Sequence, residues 1–170
     1  ARVVLHSKNK QSVEGAGWQP CDSAIFSLDR QQLVNTYRGP AIDPVLGDPT
    51  LWLELMDHVY GKYAEMVKGH MAFTIQKPEE KIRWQVMVIG TKTRTGKTST
   101  VAPLACIYPT EHQTVTADDI DSGWGDAVFG KKVVIIEELY RPGDKAFFNS
   151  VKAGLVNSAV EMLNLKGKGI

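Results

Sequence analysis

The run Gly96-Lys97-Thr98-Ser99 has the residue types and order that phosphate chemistry requires. It closes a loop of small and hydroxyl-bearing residues, Gly90-Thr91-Lys92-Thr93-Arg94-Thr95. A short apolar run, Trp84-Gln85-Val86-Met87-Val88-Ile89, precedes the loop, and a helix-compatible stretch follows it. In such an arrangement the N–H groups of the loop and of the helix N-terminus converge on phosphate oxygens, and the helix dipole favours negative charge there. Gly96 would let the backbone approach closely, Lys97 would reach the β- and γ-phosphates, and the Thr98 hydroxyl would bind Mg²⁺. Thr93, Arg94, Thr95 and Ser99 complete the expected nucleotide-binding set. The usual P-loop spacing puts its first glycine at Thr91, one residue after Gly90, so either Thr91 fills that position or the loop is one residue longer.

A second run supplies acids. Lys131-Lys132-Val133-Val134-Ile135-Ile136-Glu137-Glu138 reads as a buried strand that ends in two carboxylates. A nucleotide hydrolase needs an acid at such a strand end to hold the Mg²⁺ shell, here Glu137. A neighbouring carboxylate orients or deprotonates the attacking water, here Glu138. Lys97 and Glu138 are therefore the expected catalytic residues, and Thr98 and Glu137 the expected metal ligands. The cofactors implied are ATP and Mg²⁺.

The elements that must position these residues follow from periodicity and punctuation. Helices are expected at about 49–59, with Asp48 or Thr50 as the cap, and at about 62–76, ended by Pro78. Residues 84–89 read as a buried parallel strand, because the run is short, rich in β-branched residues and nearly continuous in apolar character. A helix is expected at 98–107 and strands at 113–116 and 133–136. Further helices are expected at 118–129 and 145–155, and a strand at 159–165. Residues 3–5 and 23–26 are candidate short strands within an otherwise irregular start. The fold class is thus α/β: a P-loop NTPase core with a mainly parallel sheet, preceded by a helical lead-in. The organisation expected is an irregular segment over 1–48, a helical subdomain over 49–80, and the core over 81–170.

Bulk properties narrow the classes. The chain has 170 residues, is 43% hydrophobic and carries a net charge of +1. That suits one domain with a real core, and gives no global field that would by itself attract nucleic acid. No apolar run reaches the roughly 18 residues that span a bilayer, so no membrane partner is expected. Cys21 and Cys106 lack zinc-ligand company, and a reducing compartment suits them. His6, His58, His70 and His112 are isolated rather than paired as ligands. The chain begins with Ala1 and ends in a Lys-Gly run, which reads as a piece of a longer protein.

These residues resemble the superfamily 3 helicase domains of phage, plasmid and poxvirus-type primase-helicases. The likeness runs from Leu33 to Pro40, through Pro44-Val45-Leu46-Gly47-Asp48 and the stretch from Met71 to Pro78, to the Gly96 loop and the Glu137-Glu138 strand. Lys152-Ala153-Gly154-Leu155 and Leu165-Lys166-Gly167-Lys168-Gly169 continue it. The order and spacing of these pieces carry the resemblance more than any single one. It implies an AAA+-like core that forms a hexameric ring, binds ATP between subunits and translocates on single-stranded DNA. It also implies a phage-, plasmid- or virus-encoded protein acting in the cytoplasm. Lys166 and Lys168 lie where the family's channel hairpin is expected, and they would neutralise phosphates without reading sequence. The family's polar sensor and arginine finger would fall beyond Ile170. Two other readings of the same residues are a different P-loop phosphotransferase and a non-hydrolysing assembly module that only senses nucleotide.

Overall fold

The computed structural model describes residues 13–80, 82, 84–89, 94–116, 118–119 and 130–137. The elements expected at 3–5 and 145–155, the strand at 159–165, and all but the start of the helix at 118–129 lie outside those residues. The described chain is α/β, with a small parallel sheet, three helices and a separate three-stranded sheet near the start.

The first unit is β1 (Gly15–Gly17), β2 (Ile25–Leu28) and β3 (Gln31–Asn35). The strand order is β1-β3-β2, with β1 parallel and β2 antiparallel to β3. The sequence leads one to expect only the β2 region here, so β1 and β3 are additions. The turn joining β2 to β3 is Asp29-Arg30, with both residues at positive φ (49° and 70°). Two-residue hairpins need that geometry, and Asn-Gly or Asp-Gly usually marks them. Asn35 anchors the unit. Its side-chain amide donates to the carbonyls of Gln19, Cys21 and Ser23, and its Oδ1 accepts from the Gln19 and Tyr37 amides.

The helices follow: α1 (Thr50–Tyr60), a 3-10 turn (Gly61–Tyr63), α2 (Ala64–Gln76) and α3 (Lys97–Ile107). The Asp48 carboxylate accepts from the Thr50 amide at 2.9 Å, which satisfies one of the amides left open at the start of α1. Trp52, Met56 and Tyr60 share one face of α1 at four-residue spacing and pack into the core. Ala64, Val67, Met71 and Thr74 are the buried face of α2. Thr100, Leu104 and Tyr108 repeat the four-residue spacing along α3 and past its end, and all three are buried.

The parallel sheet is β4 (His112–Thr116) beside β5 (Val133–Glu137), in register from His112 opposite Val133 to Thr116 opposite Glu137. Both strands fall where the sequence places them. Residues 84–89 do not form the expected strand. A strand exists only as one member of a hydrogen-bonded pair, and among the described residues no strand pairs with this run. Val86 packs on the core, whereas Met87 and Ile89 are 62% and 88% exposed. Apolar character there marks a surface suited to burial, not a formed ladder.

Glu111 ties the first unit to the rest. It is 2% exposed, and its Oε1 accepts from the backbone amides of Arg38 and Gly39. Its carbonyl accepts from the Lys132 and Val133 amides, and its own amide donates to the Tyr108 carbonyl. One residue thus joins the end of the first sheet, the end of α3 and the start of β5. Among the described residues, no helix is long and apolar enough to cross a membrane.

Candidate functional site

The site begins with the backbone at Gly96. Its φ of 82° is left-handed, a conformation that costs glycine nothing and other residues strain. That turn ends the loop and starts α3 at Lys97 without any side-chain cap. The amides of Thr98 and Ser99, in the first turn, have no acceptor within the helix. They are therefore oriented for an anion, and both side chains are exposed. Arg94, also exposed and with φ of 58°, bends the loop before them. The Lys97 ammonium donates to Thr95 Oγ1 at 3.0 Å.

The central contact joins two elements that are distant in sequence. Thr98 Oγ1 donates to Glu137 Oε1 at 3.3 Å. The start of α3 supplies the hydroxyl and the last residue of β5 supplies the carboxylate. Two cis ligands of an octahedral Mg²⁺, each about 2.1 Å from the ion, stand about 3 Å apart. The Thr98–Glu137 spacing fits that pattern, and both donors are the hard oxygens Mg²⁺ prefers. Among the described residues, no group of three or more His, Cys, Asp or Glu side chains is gathered to hold a metal. A cation at Thr98 and Glu137 would take its remaining oxygens from phosphate and water, which is the usual habit of Mg²⁺.

A cleft of about 330 Å³ lies beside this contact. Lys97, Thr98 and Glu137 line it, together with Gln85, Val86 and Val88 of the 84–89 run and residues 132–136. His70 of α2 also faces it and stacks, tilted, on Trp84 with ring centroids 4.5 Å apart. Burial holds the His70 imidazole below its ordinary pKa, so the neutral ring is favoured there. Lys132 is likewise pushed down by burial, and its ammonium donates to the Pro78 carbonyl at 2.8 Å.

Thr95, Gly96, Lys97, Thr98, Ser99 and Glu137, of the residues expected from the sequence, are brought to one end of α3, with Arg94 in the loop before it. Thr91, Thr93, Glu138, Lys166 and Lys168 lie outside the described residues. Trp52, Tyr60 and Thr100 were not expected at this place. The Trp52 indole donates to the Thr100 carbonyl at 3.0 Å, and the Tyr60 hydroxyl lies 2.8 Å from Thr100 Oγ1. These contacts join residues at least 40 apart in sequence, and no local pattern announces them.

No family model matches the chain, and no curated protein matches it in sequence. Among solved structures, the apo structure of the NrS-1 C-terminal region is similar, with a TM-score of 0.66 at 19% identity. The match covers 83% of this chain and 36% of that one. The chain therefore spans about a third of that region's length, and the likeness is one of fold.

Proposed function

We propose that this chain is the ATP-binding and hydrolysing motor part of a replicative DNA helicase of the primase-helicase type. It would act as a hexameric ring on single-stranded DNA and use Mg²⁺. The observation that carries the reading is the Thr98–Glu137 contact, which sets a first-turn hydroxyl against a strand-end carboxylate beside the glycine turn. The resemblance of the surrounding sequence to superfamily 3 helicase domains supports the step from nucleotide binding to a DNA motor, with an AAA+-like core.

In this reading the first-turn amides of α3 bind the phosphate chain, and Lys97 neutralises the charge that builds on it in the transition state. Thr98 and Glu137 would hold Mg²⁺, which would supply positive charge to offset that of the phosphates. Glu138 takes the proton of the attacking water, and Lys166 and Lys168 contact the DNA backbone.

The test is ATP turnover with single-stranded DNA present. Lys97→Ala and Glu138→Gln are each expected to lower turnover about 100-fold or more, the scale for losing one charge-stabilising or proton-transfer group. Glu138→Gln should still bind ATP. Equal, negligible turnover in all three proteins would instead favour the module that senses nucleotide without hydrolysing it.

A further inference from the structure

We propose that α1 positions the phosphate loop, with Tyr60 and Trp52 acting through Thr100 to fix the first turn of α3. The inference rests on the nucleotide-binding reading above and adds the residues that control it from outside the loop.

Thr100 is fully buried and sits one turn behind Lys97. Its hydroxyl lies 2.6 Å from the Lys97 carbonyl, which can only accept. The single Thr100 proton is therefore committed to Lys97. The Tyr60 hydroxyl, 2.8 Å from the same Oγ1, must then be the donor in that pair. The result is a directed chain: Tyr60 donates to Thr100, and Thr100 donates to the carbonyl of Lys97. Trp52 adds a second bond from α1, to the Thr100 carbonyl at 3.0 Å.

Leu55 completes the contact. A Cβ placed on Gly96 would stand 2.7 Å from Leu55 Cδ1, so α1 lies directly against the glycine turn. Leu55 neighbours Trp52 at three-residue spacing, and Tyr60 lies two four-residue steps from Trp52, so Trp52 stands between the other two around α1. Trp52 and Leu55 do not line the cleft; Tyr60 lines it beside Lys97, Thr98 and Glu137, with its hydroxyl bonded to Thr100. The three set the tilt of the turn from which the Lys97 and Thr98 side chains leave. A bound phosphate chain needs those two groups placed to within a fraction of an ångström, so holding the turn raises affinity without adding a ligand contact. The same geometry means that any displacement of α1 changes the grip of the loop.

The experiment titrates a fluorescent N-methylanthraniloyl ATP with Mg²⁺ into the full chain, at a temperature where circular dichroism shows every variant folded. Thr100→Val removes the hydroxyl at equal size, and Tyr60→Phe removes the donor. Each is expected to weaken binding about threefold to tenfold, the scale of one net hydrogen bond. The double variant should be no weaker than the worse single variant, because both break one chain. Thr100→Ser, which keeps the hydroxyl, should bind as the wild type does. Lowered melting temperatures with unchanged affinity in Tyr60→Phe and Thr100→Val would overturn the proposal, since the contacts would then be structural only. Wild-type binding with unaltered variants thus sinks this inference alone. Failure of the wild type to bind sinks the nucleotide reading and this inference together.

Discussion

Glu111 and its neighbours show how individual side chains carry the assembly. Burial, the largest influence, pushes the Glu111 carboxyl above the usual carboxylate range, against the downward pull of the Arg38 and Gly39 amides and of the Lys132 and Arg38 charges. The same surroundings push the Tyr37 phenol up to about 12, by burial first and then by the charges of Tyr108 and Glu111. A carboxyl with a raised folded-state pKa contributes stability below the ordinary carboxylate pKa, and that contribution is lost as pH rises through the raised value. Glu111 Oε2 and the Tyr108 hydroxyl, both buried, have no hydrogen-bond partner among the described residues. Glu111→Gln keeps an oxygen for the Arg38 and Gly39 amides and removes the ionisation cost. It should be more stable than the wild type at pH 8. The difference should shrink as pH falls, because protonation of the wild-type carboxyl removes the buried charge. Thermal melts at pH 8 and at acidic pH check this, and a less stable Glu111→Gln at pH 8 would mean the charge itself holds the junction. Neither Glu111 nor Thr100 is conspicuous in the sequence, because each acts through partners far away along the chain.

Elements differ in how far the sequence announces them. The helices α1 and α2 are legible because apolar positions recur at helical spacing, with Pro78 closing the second; α3 is legible because it follows the glycine-rich loop. β4 and β5 are legible as short β-branched runs. β1, by contrast, is Gly-Ala-Gly, with no side-chain pattern, and forms only because β3 lies alongside. The β2–β3 hairpin is hidden because Asp29-Arg30 takes a turn geometry its residue types do not advertise. Residues 84–89 err the other way, since the apolar run fits a strand but no described strand pairs with it. The start of α3 was readable from Gly96-Lys97-Thr98, whereas its support by α1 was not. Gly96→Ala tests that element directly. The left-handed φ alone should cost about 1–3 kcal/mol, and the methyl would also meet Leu55. Leu55→Ala in the same chain should restore only the steric part. Full recovery of the melting temperature in the double variant would show that the backbone strain is not what matters there.

For the molecule as a whole, the arrangement of α3 and β5 brings one end of a helix and one end of a strand together. Glu137 lies at the end of β5 because the parallel register with β4 runs on to Thr116 opposite Glu137. Thr98 meets it because α3 begins at the glycine turn braced by α1. The fold shared with the NrS-1 C-terminal region extends over most of this chain. In the proposed function, this framework would bind ATP through a Mg²⁺ held by Thr98 and Glu137. Calorimetric titration of ATP into the wild type and Glu137→Gln, with Mg²⁺ and with EDTA in its place, tests it most directly. Mg²⁺ should tighten wild-type binding about tenfold or more, the worth of one charge-assisted contact. Glu137→Gln should lose most of that gain and bind in EDTA as the wild type does. Equal Mg²⁺ dependence in the two proteins, or no ATP binding by the wild type, would contradict this reading.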